Sequence, residues 1–197
     1  MRAGGFLLVA VLGAIAAGCG GGVTTRVPDD LIATLPREAA IDIFDSENQV
    51  SIALEGVDRV NRDLEANDHS VDKANAAKRA AKAAGAKSVW DARLAYLAAD
   101  RKRAKLDLAF ALTLVDVAKA KVEEVKAKVV ERYSLSGKYN VNRFTNQVAR
   151  LDGVAKKAKA KLDRAEVAAK AARSAWEKLR DGYTSKTSDF DSVAVEE

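Results

Sequence analysis

The sequence predicts an all-α protein, an elongated antiparallel coiled-coil hairpin with one or two additional packed helices. Three observations lead to this prediction. Alanine, lysine, valine and leucine are abundant, a composition that is typical of long helices. No proline occurs from residue 38 to residue 180, so a helix can continue without interruption. In the second half of the chain, apolar residues recur at spacings of three and four, the pattern of helices that pack along a shared seam.

The chain begins with a segment that is typical of export signals. Arg2 precedes an uncharged apolar run from Phe6 to Ala17, and small residues stand directly before Cys19. The run is shorter than the roughly 20 residues that a helix needs to cross a bilayer. We interpret residues 1–18 as a signal peptide. An ordinary cleaved signal and a membrane anchor are the alternatives to the interpretation that follows.

The residues Ile15-Ala16-Ala17-Gly18-Cys19 resemble the lipobox of bacterial lipoproteins. In that family the cysteine is acylated and becomes the new N-terminus, so the resemblance implies that lipid on Cys19 attaches the chain to a membrane. Gly20 stands where an aspartate would indicate inner-membrane retention, which implies the outer membrane, facing the periplasm. The inner membrane and the cell surface remain alternatives. An acylated Cys19 leaves no thiol for a disulfide, a metal site or a nucleophile.

Charge is distributed unevenly along the chain after this signal. Residues 19–70 hold 4 basic and 11 acidic side chains, residues 71–182 hold 27 and 13, and residues 183–197 hold 1 and 4. We expect residues 19–36, which include a glycine run, to form a lipidated flexible tether, and residues 184–197 to form an acidic disordered tail. The basic part either folds against the acidic segments or faces an anionic partner.

Two helices are predicted before the middle of the chain. Helix A runs from residue 38 to 66 and ends at the polar cluster Asn67-Asp68-His69-Ser70. Helix B runs from residue 71 to 84, with Gly85 as its C-terminal cap. The spacing from Ser88 to Asp91 is that of a capping box, which would begin the next helix. One continuous helix through Gly85 is the alternative.

Two longer helices complete the predicted coiled-coil domain of residues 37–183. Helix C runs from residue 89 to 133, and its heptad seam consists of Leu94, Leu97, Arg101, Ala104, Leu108, Ala111, Val115, Ala118, Val122, Val125, Val129 and Arg132. Helix D follows a turn around Gly137, and its seam consists of Phe144, Val148, Leu151, Ala155, Ala158, Leu162, Ala165, Ala169, Ala172, Trp176, Leu179 and Tyr183. Matching seams and a short connection predict an antiparallel hairpin on the order of 65 Å long.

The position of the turn sets the expected pairing of helices C and D. Residues whose numbers sum to about 273 should face each other, so Trp176 is expected near Leu97 and Trp90 near Tyr183. Helix C also carries a second apolar stripe, Leu106, Phe110, Leu114 and Val117. We expect helix A to cover this stripe with Ile43, Val50, Leu54, Val57 and Leu64; a second protein is the alternative.

Residues that would indicate catalysis are scarce. His69 is the single histidine, and its neighbours Asp68 and Asp72 would form at most a weak metal site, so we expect a solvated turn, no cofactor and no enzymatic activity. The lysine group of Lys156, Lys157, Lys159 and Lys161 is not interleaved with aromatic residues, which argues against nucleic-acid binding. It is interpreted as a hydrated helix flank or as a contact for anionic lipid headgroups or cell-wall carboxylates.

The passage from Glu131-Arg132-Tyr133 through Gly137 to Leu179 resembles the coiled-coil hairpin of outer-membrane efflux factors of the TolC family, over about fifty residues. We therefore expect an envelope lipoprotein whose periplasmic coiled-coil domain is a structural tether or adaptor. It would engage an envelope protein, or itself, through an exposed seam or through hairpin-tip contacts at Tyr139, Asn140 and Arg143. The alternative is a subunit of an envelope transport, efflux or motility machine related in shape to such hairpins.

Overall fold

The computed structural model describes residues 22–133 and 140–184, and it confirms the prediction of an all-α hairpin. The elements are α1 (Asp29–Ala33), α2 (Arg37–Ala80), α3 (Ala84–Arg132) and α4 (Val141–Thr184). The three long helices contain 44, 49 and 44 residues, so each is a rod of about 66 to 74 Å. The signal segment, Gly137 and residues 185–197 of the predicted tail lie outside the described residues.

Helices α3 and α4 pack antiparallel along most of their length. At the start of α4, Phe144 packs against Ala127 and Val130 near the end of α3. At the other end of the hairpin, Trp176 and Leu97 belong to one buried cluster, which also contains Trp90 and is covered by Tyr183. The expected neighbours of both tryptophans are therefore confirmed.

Helix α2 continues through the residues that were expected to end it. The cluster from Asn67 to Ser70 lies inside α2, so the prediction of two separate helices A and B is wrong. Asn67 is buried between α2 and α3. Its amide nitrogen donates to the carbonyl oxygen of Leu97, at 3.2 Å, and to Asp100 Oδ2, also at 3.2 Å. Polar residues that favour turns in isolation are held in the helix when the neighbouring helix supplies hydrogen-bond partners.

The break between α2 and α3 is a short joint of residues 81–83, where Ala81 and Ala83 adopt extended backbone angles. Gly85 is in the first turn of α3 and not a C-terminal cap, so this prediction and that of a capping box at Ser88 are wrong. The hydroxyl of Ser88 instead donates to the carbonyl oxygen of Ala84 inside the helix, at 3.2 Å. A joint three residues long makes α2 and α3 antiparallel neighbours.

The pairing of the two faces of α3 differs from the sequence prediction. Phe110 and Val117 of the second stripe pack with Val148 and Leu151 of α4, and they also line the groove beside α2. The heptad seam faces α2 instead. Its members Val125 and Val129 pack on α2 in a cluster with Ala39 and Ile43, while Leu114 of the second stripe and Leu54 of α2 remain exposed.

Two arginines in the seam of α3 have carboxylate partners on α2. Arg101 forms an ion pair with Asp68 of α2 at 3.0 Å, and Arg132 pairs with Asp42 of α2 at 3.2 Å. The seam of α4 is wholly apolar, and the expected register would have placed these guanidinium groups opposite Ala172 and Val141. The two arginine side chains are 46% and 63% exposed, so these are surface ion pairs, which accompany the packing of this face on the acidic helix α2 and add little stability.

The inner face of α2 is itself a long heptad repeat. The residues that are buried or half-buried recur at spacings of three and four along the whole helix: Ala39, Ile43, Ser46, Val50, Ala53, Val57, Val60, Leu64, Asn67, Val71, Ala74 and Lys78. Helix α3 is therefore the middle helix of the fold. The backbones of α2 and α4 hardly approach each other along their described lengths.

Candidate functional site

The N-terminal segment before α1 lies against the side of the α3/α4 hairpin. Oε1 of Gln147 accepts three hydrogen bonds from this segment, from the Thr24 hydroxyl (2.8 Å), the Thr24 N–H (3.0 Å) and the Thr25 N–H (3.2 Å). A Cβ placed on Gly22 would lie 3.8 Å from Asp116 Oδ1 in the middle of α3. This part of the expected tether of residues 19–36 is thus bound to the rod from residue 22 onward.

A buried contact continues this attachment toward α1. Val27 is only 3% exposed and packs with Val130 and Phe144, while its N–H donates to Glu123 Oε2 at 2.6 Å. Lys126 is largely buried, and its Nζ lies 3.7 Å from Glu123 Oε1 and 3.7 Å from Asp29 Oδ1 of α1. Together these contacts join the N-terminal segment to the end of α3 where the hairpin turns.

Sequence reasoning did not identify Gln147 as a functional residue. It is 6% exposed, and within the described structure its amide nitrogen has no hydrogen-bond partner. The one available signal was a polar residue directly before Val148 of the apolar seam. That signal does not reveal its partner, because Thr24 lies more than a hundred residues away in the chain.

Of the three predicted tip contacts, Asn140 has a local structural role. Its side-chain oxygen accepts a hydrogen bond from the N–H of Asn142 at 3.1 Å, and its backbone carbonyl accepts one from the N–H of Arg143 at 2.9 Å. These contacts are those of a helix N-cap, so Asn140 stabilises the start of α4.

Arg143 lies in the first turn of α4, exposed, and lines a shallow recess together with Thr24, Thr25 and Arg150. The structure therefore places it beside the bound N-terminal segment. Tyr139, the third predicted contact, lies outside the described residues, as does Cys19. Asn140 and Arg143 thus lie at the cap and in the first turn of α4, and the tip contacts stay a prediction.

A groove of mixed apolar and charged character runs between α2 and α3. Its volume is about 700 Å³, and its lining includes Ile52, Phe110 and Leu114 together with charged residues such as Arg59 and Asp107. Ile52 and Leu114 are exposed in this groove. Exposed large apolar side chains beside charged ones are typical of a protein–protein contact.

The end of the rod opposite the hairpin turn is closed by aromatic side chains. The Tyr96 and Trp176 rings stack with centroids 6.0 Å apart, and the guanidinium carbons of Arg93 and Arg180 lie 4.1 and 4.9 Å from the Trp176 centroid. These are stabilising cation–π geometries. The cluster packs as a core and presents no reactive group, so we assign it to stability.

The residues considered for chemistry are dispersed. His69 is exposed on α2 and not in a turn, and its neighbour Asp68 is paired with Arg101. Within the described ranges, no three side chains of histidine, cysteine, aspartate or glutamate converge closely enough to hold a metal ion. Lys156, Lys157, Lys159 and Lys161 are all exposed on α4, where Lys159 pairs with Asp163.

One polar contact links the long helices near the hairpin turn. Glu124 Oε1 of α3 accepts a hydrogen bond from the hydroxyl of Thr145 of α4 at 2.8 Å and lies 2.8 Å from Lys128 Nζ. Burial acts to raise the pKa of the Glu124 carboxyl, but the hydrogen bonds from Lys128 and Thr145 outweigh it, so its pKa is lowered. The ionised form of this carboxyl therefore favours the folded hairpin.

The described helices contain no stretch that is both long and apolar enough to span a bilayer. Comparison with known proteins adds no family assignment. The chain matches no protein-family model, no curated protein and no solved structure.

Proposed function

We propose that this chain is a lipid-anchored protein of the bacterial envelope whose helical rod acts as a structural tether or adaptor for another envelope component. The sequence from Ile15 to Cys19 supports the lipid anchor through its resemblance to a lipobox.

The observation that carries the adaptor role is the groove between α2 and α3, in which apolar side chains are exposed among charged ones. A rod of this length offers a long lateral surface, and exposed Ile52 and Leu114 make one part of it apolar. An amphipathic helix of a second envelope protein fits such a groove, because its apolar face would cover the two side chains. The hairpin tip remains a second contact region in this proposal.

The anchor is tested by metabolic labelling of cells with an alkyne fatty acid. The full chain should incorporate the label, and Cys19→Ser should lose it together with its membrane association. A Cys19→Ser chain that stays labelled would contradict the anchor.

The adaptor role is tested by placing a photo-crosslinking amino acid at Ile52 or Leu114 of the full chain in intact cells. The same amino acid at Lys170, exposed on α4, is the control. We expect one dominant crosslinked protein from the two groove positions and none from the control. A single self-crosslinked species of defined oligomeric size in mild detergent would indicate the alternative, a subunit of an envelope transport machine.

A further inference from the structure

A row of basic residues runs along one side of α4. Arg143, Arg150, Lys157 and Arg164 are seven residues apart, which corresponds to almost two full helical turns, so their side chains leave the helix in nearly the same direction. Lys161 lies beside them, and all five are exposed. We call these five residues the basic row; it extends over about 32 Å of helix.

Carboxylates of this part of α4 lie elsewhere on the helix. Asp152 and Glu166 are each offset by two positions from the nearest row residue, and Asp163 by one position, so all three point away from the row. Asp163 pairs with Lys159, which is not in the row. On α3, Asp116 is half-buried beside Gly22, and Glu123 is largely buried under the N–H of Val27. The surface along the row is therefore predominantly cationic.

Small and apolar residues accompany the row. Gly153 and Ala160 lie one turn from row members, and neither carries a side chain that would hold the cations away from a flat surface. Val167, one turn beyond Arg164, is 71% exposed. From α3, Lys102 extends the positive surface, since it lines the same shallow cavity as Lys161 and Arg164.

The described part of the N-terminal segment lies beside this row. Thr24 and Thr25 share their recess with Arg143 and Arg150. Cys19 precedes Gly22 by three residues of chain, which reach at most about 11 Å. Acyl chains on that cysteine would therefore bring the basic row close to the surface of the bilayer that holds them.

From this arrangement we propose that the basic row binds anionic phospholipid headgroups of the leaflet that holds the lipid anchor, so that the rod lies along the membrane surface. This inference rests on the proposed lipid anchor at Cys19. A lipid chain and a basic surface reinforce each other, because the anchor supplies proximity and the cations supply orientation. In this orientation Val167 would insert between headgroups, and the opposite side of the fold would remain open to partners.

The test uses the full acylated chain in vesicles that contain a dansyl-labelled lipid. Both tryptophans of the protein, Trp90 and Trp176, belong to the cluster at one end of the rod, so their fluorescence reports the distance of that end from the bilayer. A rod that lies flat transfers energy to the dansyl group, and a projecting rod does not. We expect transfer with phosphatidylglycerol vesicles, and its loss in phosphatidylcholine vesicles and at high salt.

Two variants that remove the same number of charges make the test specific. The row variant carries Arg150→Gln, Lys157→Gln and Arg164→Gln and should lose the transfer. The control carries Lys156→Gln, Lys159→Gln and Lys170→Gln, all exposed and outside the row, and should keep it. Circular dichroism confirms that both remain helical.

Flotation of the same samples distinguishes a failure of the proposed anchor from a failure of the proposed role of the row. Suppose that the chain floats with both vesicle types. If energy transfer is then equal in both types, or absent from both, the role of the row is overturned and the anchor is left intact. If the unmutated chain floats only with anionic vesicles and the row variant floats with neither type, the result supports the row and contradicts the anchor. Flotation with neither type overturns both. Row-dependent binding to purified cell-wall polymer, without row-dependent transfer in vesicles, would also overturn the assignment to lipid.

Discussion

The hydroxyl of Thr24 lies 2.8 Å from Oε1 of Gln147, and this hydrogen bond joins residues 123 positions apart in the sequence. The same oxygen accepts the N–H groups of Thr24 and Thr25. One buried amide thus holds residues 24 and 25 against the rod near the hairpin turn. This attachment decides which side of the rod faces whatever the N-terminus is bound to.

Gln147→Ala should release this segment while leaving the hairpin folded. The variant removes one acceptor from three donors, and hydrogen bonds of this kind contribute about 1 kcal/mol each. Amide hydrogen exchange in residues 22–27 should become at least several times faster, with little change in α3 and α4. Asn146→Ala, at the exposed neighbouring position, is the control and should leave the exchange unchanged. Equal protection in both variants would show that Gln147 does not hold the segment.

Asn67→Leu should raise the free energy of unfolding of the protein. Asn67 is 5% exposed at a heptad position, and within the described structure its amide oxygen has no hydrogen-bond partner. A polar residue at such a position costs stability and selects one register of the helices. We expect an increase of about 1 kcal/mol in the free energy of unfolding, measured by circular dichroism in urea, together with mixed oligomers in light scattering. Asn48→Leu, exposed on α2, should change neither measurement.

Three glycines in helices should respond differently to alanine. A Cβ on Gly56 or Gly153 would meet no atom within 4 Å, so Gly56→Ala and Gly153→Ala should each stabilise the protein by about 0.5 to 1 kcal/mol. A Cβ on Gly85 would lie 2.6 Å from the Tyr183 ring, so Gly85→Ala must displace that ring. Chemical denaturation should therefore show no gain for Gly85→Ala. A gain equal to that of Gly153→Ala would mean that the end of α4 moves freely.

Acid should weaken the contact between α3 and α4 at Glu124. The pKa of this carboxyl is lowered by folding, so its contribution is present above the pKa of the unfolded chain, about 4.3 for glutamate, and is lost as the pH falls through the lower folded value. Glu124→Gln should reduce the difference between the unfolding free energies measured at pH 7 and at pH 3. Glu166→Gln, exposed on α4, is the control. A pH dependence that is the same in both variants would contradict the role of Glu124.

Much of the rod follows directly from local properties of the chain. The absence of proline allows each helix to continue, and the apolar seam from Phe144 to Trp176 is buried nearly as predicted. The pairing of Trp176 with Leu97 follows from the position of the turn alone, because two helices of equal rise that meet at a turn keep a constant sum of residue numbers. Seam periodicity and turn position both depend on residues close together in the sequence, so both can be predicted without a structure.

The choice between the two faces of α3 could not be made in this way. Both faces are apolar enough to accept α4, and the carboxylates that distinguish them, Asp42 and Asp68, reach Arg132 and Arg101 only after α2 has folded back. Asn67 also depends on the folded state, because its turn preference is overridden by acceptors on α3. Local preference is weak compared with the free-energy cost of leaving a buried amide unpaired in a helix interface.

By itself, therefore, the sequence determined the all-α class, the α4 seam and the antiparallel hairpin. Only the tertiary structure decided that α3 is the middle helix, that α2 runs unbroken through residues 67–70, and that residues 22–27 lie against Gln147 beside the basic row. The physical reason is the sequence separation between the residues that interact. Helix formation is set by neighbours within a few residues, whereas these three outcomes depend on hydrogen bonds and charge pairs between residues that are far apart in the chain.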